Sequence, residues 1–249
     1  EIPGQFVIAG SGKTATDAIV WLLDNGVDPD TVCWVRPRDP WMFNRAVVQP
    51  DPAIYLGGVA AILEAAREAT SPDELFLRME AAGVMLRIDP RVTPTMAKTP
   101  TLARWELERL RAVENVVRLG HIRHVERGRL VCEEGEAAID RDALVVHCAA
   151  PGLRYRPLVP VWGPEAITLQ SVATGPIFGA AIAGYVEATR GDDAEKNRLC
   201  PPQPYPDTPA DWSRTIVHGA RGSQALATEP DLSSWSHATG LYRSRIPAG

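Results

Sequence analysis

The sequence predicts an α/β fold with a parallel sheet, and three observations carry the prediction. A short apolar run at residues 5–9 ends in Gly10, helix-spaced apolar residues follow over 13–25, and a second buried run occupies 31–35. The order is strand, glycine turn, helix, strand, and strands joined through a helix pair in parallel. A third apolar run, at 143–149, gives a further buried strand.

Each element follows from its pattern. In the first helix Ala15, Ala18, Ile19, Leu22 and Leu23 share a face, and Gly26 closes it. Asp28-Pro29-Asp30 turns the chain into Thr31, Val32, Cys33, Trp34 and Val35. Residues 58–69 and 73–82 read as helices, the second entered through Pro72 behind a Ser71 cap, and 101–113 reads as another. The pattern then switches to short strands at 116–119, 122–126, 130–133 and 143–149, with Arg127-Gly128 and Glu134-Gly135 as hairpin punctuation. Beyond Gly152 come a proline-containing stretch, a short strand at 167–170 and a Gly/Ala-rich helix at 176–189, whose small residues imply close packing. Five of the nine residues at 201–209 are proline, which reads as an extended surface arm, and the tail after Asp211 is only weakly patterned.

The 249 residues carry 26 Lys+Arg against 31 Asp+Glu, a formal net charge of −5 that argues against nucleic acid as a partner. With 45% hydrophobic and 23% charged residues, the chain has a globular composition and excludes wholesale disorder. The apolar stretch at 177–186 is about half of the ~20 residues needed to span a bilayer, so no transmembrane segment is expected. Cys33, Cys132, Cys148 and Cys200 form no CxxC and no close pair, and no secretory leader opens the sequence. These features lead to an expected cytoplasmic location without a dithiol redox centre. Glu1 as first residue leads to the expectation of a processed product or a fragment.

Gly10-Ser11-Gly12-Lys13-Thr14-Ala15 fits GxGxx(G/A) and lies between a buried strand and a helix start, the context that a dinucleotide fingerprint needs. Gly10 would permit the tight turn, Gly12 the approach of a pyrophosphate, and Ala15 close helix–strand packing. The helix N-terminus would then face the phosphates, with Ser11, Lys13 and Thr14 beside it. This makes the fold class Rossmann-like: a parallel sheet flanked by helices, with a β-hairpin region. Gly12-Lys13-Thr14 also matches the end of a Walker A motif, but the first glycine of that motif would fall on Val7 within the strand. Asp89, after the apolar run 84–88, is the best acidic Walker B candidate.

The end of the second strand selects the cofactor, since an acid there accepts from a ribose 2′-hydroxyl and arginine accommodates a 2′-phosphate. Arg36 and Arg38 arrive there around Pro37, and forked guanidinium donors suit phosphate, so NADP is expected over NAD. His121 and His124 form HxxH, but on a strand a spacing of three points the two rings to opposite faces and no further ligand completes a metal set. No GxSxG elbow marks a nucleophile. Asp192-Asp193 and Glu133, Glu134 and Glu136 read as solvated loop charges.

With these residues in view, the chain resembles the flavin-dependent monooxygenase-like branch of the FAD/NAD(P)-dependent oxidoreductases. The resemblance rests on the glycine motif through Thr16-Asp17, on Trp34-Val35-Arg36-Pro37-Arg38-Asp39 with Asn44-Arg45, on Ile167-Thr168-Leu169-Gln170-Ser171, and on Glu195-Lys196-Asn197-Arg198-Leu199-Cys200. Only the first is a specific motif. It implies an NADP-binding Rossmann-like domain over 1–150, the returning C-terminal part of an FAD-binding domain over 151–190 with the helix after Gly175-Pro176 aimed at the flavin, and a proline-rich arm and tail over 191–249. It also implies hydride transfer from NADPH to FAD and a small-molecule substrate. The N-terminal FAD-binding segment is missing, because the chain has no second glycine fingerprint. FAD would bind through that missing domain, the fragment alone would be inactive, and an apolar face over 151–189 would be left open to homo-oligomer formation. Two further readings stand beside this one: a non-catalytic dinucleotide-binding or sensing module, and a P-loop nucleotide hydrolase.

Overall fold

Phe6–Ala9 (β1) is a strand without an exposed side chain, as expected of the centre of a sheet covered on both faces. It belongs to a computed structural model that describes residues 3–49, 51–150, 157–172 and 176–239. In chain order the strand leads to Lys13–Asp24 (α1), Val32–Val35 (β2), Trp41–Asn44 (β3), Pro52–Glu68 (α2), Pro72–Ala81 (α3), Met85–Arg87 (β4) and Thr101–Leu102 (β5). Arg104–Arg111 (α4), Val116–Val117 (β6), Ile122–Glu126 (β7), Arg129–Cys132 (β8), Gly135–Ala138 (β9) and Leu144–His147 (β10) follow. The last helices are Pro176–Thr189 (α5), Asp193–Leu199 (α6), Pro209–Ala227 (α7) and Pro230–Ala238 (α8).

The described residues fall into two compact units, Glu1–Val48 with Leu75–Gly152, and Gln49–Glu74 with Leu153–Gly249. The segment carrying α2 groups with the C-terminal residues.

In the first unit β10, β1, β2 and β6 make a four-stranded sheet in that order, every neighbouring pair parallel. The period-2 alternation of strand side chains divides its two faces. Phe6, Ile8, Val32 and Trp34 pack with Ala15, Ile19 and Leu22 of α1 and Leu107 and Leu110 of α4. Val7, Cys33 and Val35 pack instead with Leu130 and Cys132 of β8. Helices therefore cover one face, and the antiparallel meander β7-β8-β9 covers the other. The expected hairpin region gains a third strand, because Gly135 begins β9 and the Glu136 carboxylate pairs with Arg129 across the ladder. A small sheet, β4-β3-β5, lies in the sequence between β2 and β6, with Met42, Leu86 and Leu102 in the α1 core. The chain is thus α/β with a parallel sheet flanked by helices, and its strand order is compatible with a Rossmann-like fold.

In the second unit Phe178, Ile182 and Val186 of α5 pack with Val161, Trp162, Val172, Leu199, Leu226 and Leu232. The small-residue expectation for α5 is met at Gly179, where a Cβ would lie 2.1 Å from the Val172 carbonyl oxygen. The weakly patterned tail is helical. Thr208 and Asp211 form a reciprocal capping box at the start of α7, and Pro230 enters α8. Asp192 is a cap as well, accepting from the Glu195 N–H at the start of α6. The expected strand at 167–170 is reduced to an isolated bridge between Trp162 and Ile167.

Candidate functional site

Gly10, Ser11 and Gly12 alone connect β1 to α1. Gly10 has φ of +127°, a conformation that L side chains rarely adopt, and a Cβ on it would lie 2.7 Å from the Cys148 carbonyl oxygen beyond β10. The turn therefore lies at the carboxyl ends of the parallel strands β1 and β10, close against the chain that leaves β10. Gly12 differs: its φ of −81° and ψ of −173° suit any residue, and an added Cβ would meet nothing within 4 Å. The fold requires glycine at 10 but not at 12, where it leaves open space at the head of α1. No side chain caps α1 and no acid stands in its first turn, so its positive end is open to an anion.

Strand β2 holds the turn at three points. The Gly10 N–H donates to the Val35 carbonyl at 2.9 Å, the Trp34 indole N–H donates to the Gly10 carbonyl at 2.7 Å, and the Ser11 hydroxyl donates to the Arg38 carbonyl at 2.7 Å. Ser11 thus braces the turn with its side chain. Lys13 is also engaged: its ammonium donates to Asp17 and, at 3.0 Å, to Glu106 of α4. Thr14 is exposed.

Glu106 is buried and serves three donors, the Ala103 N–H at 2.6 Å, Lys13, and the Arg45 guanidinium at 3.1 Å. Burial pushes its carboxyl pKa up, but the Ala103 N–H, Lys13 and Arg45 together outweigh burial and hold it below the usual glutamate value.

Arg36 and Arg38 do not play equal parts. Arg36 is 3% exposed and its guanidinium lies over the Trp34 ring, 4.6 Å from the centroid. Its Nη1 is 3.0 Å from Asp39 Oδ1, yet neither Nη1 nor Nε has an aligned hydrogen-bond acceptor. Burial draws its pKa down to about 10, against the opposing pull of Asp39, so it stays charged at neutral pH. Asp39 is itself buried and takes two donors from Arg118, at 2.8 and 3.3 Å. This acid is therefore occupied and is not offered to a ribose hydroxyl. Arg38 is half-buried, with its carbonyl tied to Ser11.

The remaining sequence candidates resolve into structural partners. Asp89 hydrogen-bonds Arg91 and Arg118, which hold its carboxyl well below the usual range. Val7 is fully buried in β1, so no glycine-rich P-loop wraps at the turn. His121 pairs with Glu133 at 3.1 Å and His124 with Glu126 at 3.0 Å, each on the exposed meander. Asn44 caps the 3-10 turn after β3 and donates to the Gly83 carbonyl. In the 195–200 segment, Asn197 clips both backbone groups of Trp162 and Lys196 pairs with Glu187. The Gly175 position lies outside the described residues. Sequence reasoning missed Trp34 and Glu106 as parts of the site. A buried indole needs an acceptor for its N–H, and Glu106 stands at the third position of a helix, both of which are readable signals.

No helix among the described residues is long and apolar enough to cross a membrane. No family model matches the chain, and no solved structure matches it. One uncharacterized protein of Mycobacterium bovis and two of Mycobacterium tuberculosis are each 41% identical to it over 236 residues, which is 93% of this chain and 44% of theirs. The chain thus spans less than half the length of these curated relatives, and it is similar to one segment of each.

Proposed function

We propose that the chain is the NADP(H)-binding part of a flavoprotein oxidoreductase of the monooxygenase-like type, its parallel sheet serving as a Rossmann-like nucleotide domain. The observation that supports this most is the three-residue turn at the mouth of β1. It combines a glycine the fold needs, a glycine it does not need, and an uncapped helix N-terminus.

The residues present fit a dinucleotide phosphate. The open space at Gly12 admits the pyrophosphate against the first N–H groups of α1. Arg36 has donors without acceptors, Arg38 follows it, and Asp39 is engaged by Arg118, which together favour a 2′-phosphate over a free 2′-hydroxyl. Lys13 stands beside the turn with its ammonium held by Asp17 and by Glu106 of α4. NADPH supplies a hydride and FAD accepts it, with the flavin held by the part of a longer protein that this chain does not represent. The chain's own work is to bind the nucleotide, orient it through the turn, and select its 2′-phosphate.

The full-length M. tuberculosis relative provides the test. Purified, it is expected to carry flavin that NADPH reduces under anaerobic conditions. Absence of flavin together with retained NADPH binding would instead support a non-catalytic dinucleotide-binding module, the reading to which the single glycine fingerprint also points. Absence of both would overturn the proposal.

A further inference from the structure

We propose that Trp34 is the positioning residue of the nucleotide site, coupling the glycine turn to the arginine that follows β2; the inference rests on the NADP(H) reading. Trp34 is fully buried, and its one polar group, the indole N–H, is spent on the Gly10 carbonyl at 2.7 Å. In a trans peptide the next N–H points opposite to that carbonyl. Fixing the Gly10 carbonyl on the Trp34 indole therefore aims the Ser11 N–H away from that ring. The Gly10 N–H is held by Val35 of the same strand, so both backbone groups of the strained glycine are anchored on neighbouring residues of β2.

The other end of the coupling is the ring face. Residues 34 and 36 share one face of the strand line, and the Arg36 guanidinium stacks on the Trp34 ring at 4.6 Å. Stacking fixes the plane of the guanidinium while leaving Nε and Nη1 without aligned acceptors. Ser11 closes the loop by donating to the Arg38 carbonyl. One side chain thus sets the conformation of the turn that meets the pyrophosphate and the seat of a cation at the strand end. A site held this way binds with less ordering cost than a mobile turn.

The experiment compares the wild-type chain with Trp34→Phe and Ser11→Ala, measuring amide hydrogen exchange and the affinities for NADPH and NADH. Phenylalanine keeps an aromatic face for Arg36 while removing the N–H donor and part of the buried ring, so global stability is measured beside local exchange. The expected result is faster exchange confined to residues 10–14, with NADPH affinity down about tenfold, the loss of one buried hydrogen bond. Exchange in β1 and β10 is expected to stay as in the wild type. Ser11→Ala leaves the indole untouched and is expected to give the same pattern to a smaller degree; if Trp34→Phe does not fold, exchange of the wild-type indole N–H decides the matter, slow exchange being expected of a donor held by the Gly10 carbonyl and rapid exchange overturning the role. Wild-type NADPH binding with unchanged exchange and affinity in the variants overturns the role of Trp34 and leaves the cofactor reading standing. A wild-type chain that binds no NADPH overturns that reading and this inference with it.

Discussion

Gly10 and Gly12 sit two residues apart in one motif and answer to different constraints. Gly10→Ala would place a side chain at φ of +127° against the Cys148 carbonyl, and is expected to destabilise the chain by about 1–3 kcal/mol in chemical denaturation. Gly12→Ala meets no neighbour, and is expected to change stability by less than about 0.5 kcal/mol while weakening NADPH binding. Arg36 and Arg38 separate in the same way. Arg36→Ala removes a buried cation from the Trp34 ring, but Arg118 still holds Asp39, so the stability loss is expected below the ~3–5 kcal/mol of breaking an isolated buried pair. Arg38→Ala is expected to weaken NADPH, but not NADH, by roughly ten- to a hundred-fold, the worth of a charge-assisted bond. The motif was legible in the sequence. The burial of Arg36 and the engagement of Lys13 by Glu106 were not, because each depends on a residue brought close only by folding. The carboxylates also set an acid limit. Asp89 is depressed chiefly by its Arg91 hydrogen bond, and Glu106 by donors that overcome its burial. A depressed folded-state pKa contributes stability that is fully present above the unfolded value, about 4, and is lost as pH falls through the folded value. Denaturation midpoints are therefore expected to fall on acidification below about pH 4, and Glu106→Gln to flatten part of that dependence.

Among the elements, those with a strong period were legible and those set by capping or pairing were not. β7 and α5 fall at 122–126 and 176–189, where alternation and small apolar residues place them. The helices α7 and α8 escaped because their apolar residues are sparse: Trp212, Leu226 and Leu232 are buried, while Ile216 and Val217 face solvent. What starts them is local, a Thr208–Asp211 box and Pro230. The strand β9 carries the sequence Gly-Glu-Ala-Ala, which has little strand propensity, and pairing with β8 overrides it. In the second unit the Asn197 amide both accepts from and donates to the Trp162 backbone, doing the work of a ladder. Asn197→Ala leaves both groups without their partner and is expected to cost about 1–3 kcal/mol in thermal or chemical unfolding.

At the scale of the whole molecule, the second unit exposes several large apolar residues. Leu158, Val159 and Ile167 are exposed and Leu169 is 89% exposed, within the 151–189 stretch where an uncovered apolar face was expected. Ile54, Leu56 and Leu63 of α2 are exposed as well. Concentration-dependent association of the isolated chain is expected in sedimentation velocity, reduced in a Leu63→Lys, Leu169→Lys variant. Whether the turn after β1 and the end of β2 form an NADP(H) site is decided by calorimetric titration of the chain with NADPH and NADH at low and high salt. NADPH binding is expected to exceed NADH binding and to weaken as salt screens the phosphate contacts. Equal binding of the two nucleotides, or binding of neither, would contradict it.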